Sequence, residues 1–170
     1  TYEPGSVFKI FTVGIVTDEK GISANDSFLC DGAYEKRLGN GETVRIKCLE
    51  HHGWLTPREA LKYSCNDVLG QISDRISDDQ FINRIKQLGF GEKTGIELSG
   101  ETPGFVKDPD NKTWSARSKP TIAIGQEISV SALQMVQAAT AIANGGVPVK
   151  LRVISKITDK EGNTVYEAAP

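Results

Sequence analysis

Tyr2-Glu3-Pro4-Gly5-Ser6-Val7-Phe8-Lys9 is the stretch from which the rest of the chain is read. Pro4-Gly5 breaks the chain, and the apolar run Val7, Phe8, Ile10, Phe11 and Val13 that follows predicts a buried helix starting at Ser6, apolar nearly all round and ending between Asp18 and Gly21. Ser6 and Lys9 lie three positions apart and so share one face of that helix. A serine hydroxyl is a weak nucleophile that needs an adjacent base. An amine serves as that base once burial lowers its pKa toward working pH. Ser6 also stands at the helix N-terminus, where free N–H groups favour developing negative charge. On its own, the pair is equally an ordinary capping serine with a solvated lysine one turn on.

A second polar cluster, Tyr63-Ser64-Cys65-Asn66, falls at the junction of two helical periods. A hydroxyl and an amide two positions apart at a bend can face one cleft: Ser64 to relay a proton between Lys9 and a leaving amine, Asn66 to hydrogen-bond a substrate amide and the lysine. By itself this is a Ser/Asn capping pair. The order of the two clusters shifts the reading toward chemistry.

Bulk properties narrow the field. The chain has 170 residues, 38% of them hydrophobic and 25% charged, with net charge −2. It suits one domain or a large piece of one. No basic block points to nucleic acid, no apolar run reaches the roughly 18 residues of a membrane span, and no cofactor-binding pattern appears. Thr1 and Pro170 both read as cut points rather than natural ends, so a membrane anchor upstream is compatible with the sequence.

Between the clusters, Asn25–Glu50 reads as short strands and turns, with a hairpin at Asn40-Gly41 and Val44, Ile46 and Cys48 alternating with polar partners. Thr56-Pro57-Arg58-Glu59 and Ser131-Ala132-Leu133-Gln134 are capping boxes. They predict helices from residue 57 to about Tyr63 and from 132 to Asn144-Gly145-Gly146. Further helices carry Val68, Leu69, Ile72 and Ile76, and Phe81, Ile82, Ile85 and Leu88. Gly89–Thr121 is expected to be a loop-like crossing. Val149–Ile157 is expected to be a strand, Asp159–Asn163 a turn and Thr164–Tyr166 a short return strand.

Three cysteines, Cys30, Cys48 and Cys65, leave alternatives open. Cys30 and Cys48 pair as a disulfide in an oxidising compartment; or Cys30, Asp31, Cys48 and one of His51 and His52 hold a zinc ion, though their spacing matches no standard finger; or the thiols have no special role.

The motifs together resemble one family. Tyr2–Lys9 is similar to the YEPGSxxK segment of high-molecular-mass penicillin-binding proteins, and Ser64-Cys65-Asn66 to their SxN motif. Leu88–Ile96 through Gly100-Glu101 resembles their GFGxxTGIDLPGE segment. Ile124–Gln134, followed by Ala143–Gly146, resembles IGQGxxVTPLQ…ANGG. Glu127 replaces a usual glycine, Ser131-Ala132 a common Thr-Pro, and Ser99 a common proline, all at positions that look structural. Lys93-Thr94-Gly95 spells the family's third motif but falls inside the GFGxxTGI loop. It is expected to be structural, with the true K-T-G strand lying beyond Pro170.

The resemblance implies an α+β, β-lactamase/transpeptidase-like fold, present here in part: a partial transpeptidase domain over 1–170, mainly its helical subdomain with a few short strands. It implies a serine D,D-transpeptidase of peptidoglycan acting on D-Ala-D-Ala stem peptides and acylated by β-lactams. Ser6 is then the nucleophile, Lys9 the base, Ser64 the proton relay and Asn66 a substrate-binding residue, with neither metal nor organic cofactor required. The parent protein is expected to be membrane-anchored, to work outside the cytoplasmic membrane and to join cell-wall synthesis complexes. Residues 1–170 alone are expected to be inactive. The competing readings are a serine β-lactamase or β-lactam sensor, and a non-catalytic module binding peptidoglycan or partner proteins.

Overall fold

Phe8, Phe11 and Phe90 form the aromatic centre of the core, their ring centroids 5.2 to 5.5 Å apart. Two of these rings come from the opening helix and the third from the Gly89–Gly91 turn, so Phe8 of Tyr2–Lys9 packs directly on the Leu88–Ile96 segment. Full burial of such rings contributes about 2–3 kcal/mol each. The computed structural model describes residues 1–168; the cut point read at Pro170 lies outside them.

The opening helix begins as a 3-10 turn, Gly5–Phe8, and continues as α1, Lys9–Asp18. Phe8, Lys9, Phe11, Thr12, Ile15 and Val16 face inward, where α1 packs on α3 (Asn66–Ser73), α4 (Asp78–Gln87) and α6 (Ala132–Ala143). The helix is not buried all round. Val7 and Ile10 are exposed, because the neighbouring helices close over one side of α1 only.

Among the described residues, eight short strands form four antiparallel two-stranded ribbons. β1 (Phe28–Cys30) pairs with β4 (Gly53–Leu55), and β2 (Ala33–Arg37) with β3 (Thr43–Lys47). The β2–β3 connection turns at Asn40-Gly41, with Leu38 N–H donating to the Glu42 carbonyl and Gly41 at φ +87. Ile46 is buried and Val44 half-buried, as their alternation predicts. α2 (Pro57–Lys62) begins at the Thr56/Glu59 capping box, and α6 at the Ser131/Gln134 box, with both reciprocal hydrogen bonds present in each. α4 gains an analogous box from Ser77 and Gln80, and the chain leaves it through Gly89 at φ +92.

Two further expectations differ from the structure. The crossing from Gly89 to Thr121 is not all loop: it contains β5 (Phe105–Val106), which pairs with β6 (Ile128–Ser129), and ends in α5 (Ser118–Ala123). Pro120 fits α5 because it occupies the first turn, where a backbone N–H has no intrahelical partner to lose. The strand expected over residues 149–157 is confined to β7 (Lys156–Thr158), paired with β8 (Thr164–Glu167); before it, Val149 N–H donates to the Thr140 hydroxyl and Val153 N–H to the Glu97 carboxylate. The turn between them closes as expected through Asp159 and Asn163.

Candidate active site

Lys9 is the first residue of α1 and is 1% exposed. Its Nζ donates to the Ser64 carbonyl oxygen (2.6 Å), Ser64 Oγ (2.9 Å) and Asn66 Oδ1 (2.7 Å). All three acceptors are neutral. Burial pulls the ammonium pKa down from the usual lysine range to about 8, against the opposing pull of the nearby Cys48 and Cys65 thiols. The contrast with the other buried lysine is informative: Lys119 donates to the Ile76 carbonyl and pairs with the Asp78 carboxylate at 2.9 Å. Lys119 thus has a carboxylate beside it, whereas the three oxygens that hold Lys9 carry no charge.

The bend that meets Lys9 is strained. Ser64 adopts φ +52, a region a non-glycine residue rarely visits. The strain is held by α2 on one side, with Ser64 N–H donating to the Leu61 carbonyl, and by α3 on the other, whose N-cap is Cys65. Asn66 Nδ2 donates to the Lys47 carbonyl at 3.1 Å, which fixes the amide with its oxygen toward the lysine.

Ser6 is exposed and sits one 3-10 turn before Lys9, whose N–H donates to the Ser6 carbonyl. Residues three apart share one face of a 3-10 turn, so Ser6 and Lys9 stand on the same face, with Lys9 Nζ bonded to Ser64 and Asn66. The segment carrying Ser6 is locked to the Ile124–Val130 stretch. Tyr2 exchanges backbone hydrogen bonds with Val130, Gly5 N–H donates to the Gly125 carbonyl at 2.8 Å, and Glu127 N–H donates to the Glu3 carboxylate at 2.8 Å. A Cβ on Gly125 would stand 2.0 Å from the Gly5 carbonyl oxygen, so a side chain there would collide with the backbone beside Ser6. Glu127, in the position where the resembled pattern has glycine, adopts φ +57; its carboxylate is retained by Lys107 at 2.8 Å.

Lys93-Thr94-Gly95 lies in a loop, not a strand. Thr94 N–H and Oγ1 both donate to one oxygen of Glu101 (2.7 and 2.6 Å), and Gly95 N–H donates to the other at 3.2 Å. The Thr94 hydroxyl holds the half-buried Glu101 carboxyl below its usual range. The loop is closed on itself, as its place inside the GFGxxTGI-like segment predicts.

Sequence reading missed what surrounds Cys65. Cys30, Cys48, His52 and Cys65 converge beside the Ser64 bend, their ligand atoms all within 4.8 Å of one another, and the three thiols are free. Asp31 stands apart: its N–H donates to Asp67. Burial pushes the Cys65 and Cys30 thiols up. For Cys48 burial also acts upward, but backbone N–H groups at Asp67, Glu50 and Asn66 outweigh it and hold that thiol at about 7.

These motifs recur in known proteins. The family model of the penicillin binding protein transpeptidase domain matches residues 1–170. Stage V sporulation protein D of Bacillus subtilis is 34% identical over 148 residues, covering 86% of this chain and 22% of that protein. The peptidoglycan D,D-transpeptidase MrdA of Acinetobacter baumannii is 29% identical over 170 residues, covering 96% of this chain and 23% of its own. The crystal structure of penicillin-binding protein 3 from Mycobacterium tuberculosis complexed with aztreonam superposes with a TM-score of 0.85 at 29% identity, over 99% of this chain and 37% of that one. An α+β fold with a buried, neutrally solvated lysine facing a Ser-x-Asn bend thus falls in a defined class. The chain belongs to the penicillin-binding protein transpeptidase family. It spans about a quarter of the length of the curated relatives it matches.

Proposed function

We propose that this chain carries the nucleophile, base and proton relay of a serine peptidoglycan D,D-transpeptidase. The observation that carries the reading is the Lys9 amine, buried without a carboxylate and held by Ser64 and Asn66 one turn from Ser6. Neutral Lys9 takes the Ser6 proton as Oγ attacks the carbonyl carbon of a D-Ala-D-Ala bond in a stem peptide. The proton passes through Ser64 Oγ, 2.9 Å from Nζ, to the departing D-alanine amine. The acyl-Ser6 ester is then opened by an amine of a second peptide. Asn66 orients the substrate amide once its oxygen is released from the lysine. β-Lactams enter by the same attack and remain on Ser6. The β-lactam complex of the mycobacterial relative supports this, as does the D,D-transpeptidase name of the Acinetobacter one.

The substrate side of the site is completed by a K-T-G strand other than Lys93–Gly95. The working protein is membrane-anchored, acts outside the cytoplasmic membrane and joins cell-wall synthesis complexes. Among the described residues no helix is long and apolar enough to cross a membrane.

The test is labelling of the full-length protein by a fluorescent penicillin, followed by digestion and mass spectrometry. The modification is expected on Ser6, and Ser6→Ala is expected to abolish labelling. Undiminished labelling of that variant removes Ser6 from the role.

A further inference from the structure

Four side chains that acyl transfer does not use meet beside the Ser64 bend. Cys30 ends β1, Cys48 follows β3, His52 lies just before β4, and Cys65 caps α3. Cys30 Sγ is 3.4 Å from His52 Nδ1, Cys48 Sγ is 3.6 Å from the same nitrogen, and the Cys48 and Cys65 sulfurs are 3.7 Å apart. A tetrahedral zinc ion with bonds of about 2.3 Å to sulfur and about 2.0 Å to nitrogen has edges of roughly 3.8 Å between sulfurs and about 3.5 Å between sulfur and nitrogen. The recorded separations lie close to those edges, and every remaining pair in the set is within 4.8 Å. Cys30 and Cys65 are buried, and Cys48 and His52 half-buried, so a metal held by all four is closed to solvent. Three sulfurs and an imidazole suit zinc, whereas magnesium and calcium prefer oxygen ligands.

We infer that Cys30, Cys48, His52 and Cys65 bind one Zn2+ in a four-coordinate structural site. Binding releases the thiol protons to solvent and leaves the metal no open position, so it takes no part in attack on substrate. Its effect is mechanical. Cys65 is the middle residue of Ser64-Cys65-Asn66, and the metal ties that bend to β1 and to the segment around β3 and β4. The backbone conformation that presents the Ser64 oxygens and Asn66 Oδ1 to Lys9 is thereby clamped from behind. The site stands whether or not Ser6 is acylated.

The test uses full-length protein purified under reducing conditions, with zinc measured by elemental mass spectrometry and Co2+ then substituted for it. One zinc per chain is expected, together with a cobalt spectrum showing thiolate charge-transfer bands and the intense visible bands of a tetrahedral ion. His52→Asn and Cys48→Ser are each expected to lower retained zinc at least tenfold on dialysis against a weak chelator, whereas His51→Asn retains it. The wild-type cobalt spectrum decides the matter if a cysteine variant fails to fold. Less than a tenth of an equivalent of zinc together with an octahedral or absent cobalt spectrum overturns the proposal. So does a metal-free disulfide found by mass under native redox conditions, or full zinc retention in both variants.

Discussion

In the mechanism proposed above Lys9 is the base, and its environment makes a pH prediction. Its pKa lies near 8 because burial penalises the charged form. Only the neutral amine accepts the Ser6 proton, so acylation of the full-length protein is expected to fall about tenfold per pH unit below 8 and to level off above it. Stopped-flow acylation by a chromogenic cephalosporin across pH 5.5 to 9.5 checks this. A flat profile over that range excludes Lys9 as the base. Lys93 provides the counter-case. It precedes Thr94 and Gly95 in a loop tied to Glu101, so Lys93→Ala is expected to leave the penicillin acylation rate within about twofold of wild type. A loss of a hundredfold would make Lys93-Thr94-Gly95 the functional third motif. Both lysines were recognisable in the sequence as members of short patterns. Their different fates follow from what surrounds them, which for Lys9 includes a bend that no local rule connects to it.

Among the secondary-structure elements, those announced by local chemistry were legible. α2 and α6 start at their capping boxes because a cap is satisfied within four residues, and the hairpin after β2 follows from Asn40-Gly41. α5 was not legible: its six residues include Pro120 and sit in a polar stretch, and its burial comes from distant partners such as Thr12, whose hydroxyl donates to the Ala123 carbonyl. The strand expected before β7 failed for the opposite reason: Val149 and Val153 alternate as a strand would, but their N–H groups go to the side chains of Thr140 and Glu97. The most consequential contact between elements joins the turn before α1 to the end of α5, backbone against backbone at Gly5 and Gly125. Gly125 has φ +80 and no room for a methyl group. Gly125→Ala is therefore expected to destabilise the protein by about 2 kcal/mol or more and to slow acylation at least tenfold by displacing Ser6. Thermal melts and penicillin labelling measure the two effects, and a variant matching wild type in both would show that the contact does not position Ser6.

Over the whole molecule, the resemblance foretold the fold class because Tyr2–Lys9, Ser64–Asn66 and Ile124–Gln134, ambiguous singly, carry it together; in three dimensions Lys9 meets Ser64 and Asn66, and Tyr2, Glu3 and Gly5 meet Val130, Glu127 and Gly125. The cysteine cluster was half-visible: Cys30 and Cys48 were candidates, but Asp31 was an error, and neither the choice of His52 over His51 nor the recruitment of Cys65 is encoded by spacing. The uncompensated amine of Lys9 also bears on the stability of the entire fold. Its folded pKa of about 8 lies below the ordinary 10.5, so between those values the unfolded chain holds a proton that the folded chain has released. Resistance to unfolding should therefore climb as pH rises from 8 to 10.5, while at neutral pH the native state carries the full handicap, on the order of 2 kcal/mol after allowance for solvent screening. Relative to Lys9→Met, the wild-type melting temperature is expected to be lowest near pH 6–7 and to recover toward pH 10; calorimetric scans at both ends would reveal a pH-independent gap if the handicap were absent. The protein is thus built around a native-state weakness, tolerated where an amine must be ready to accept a proton.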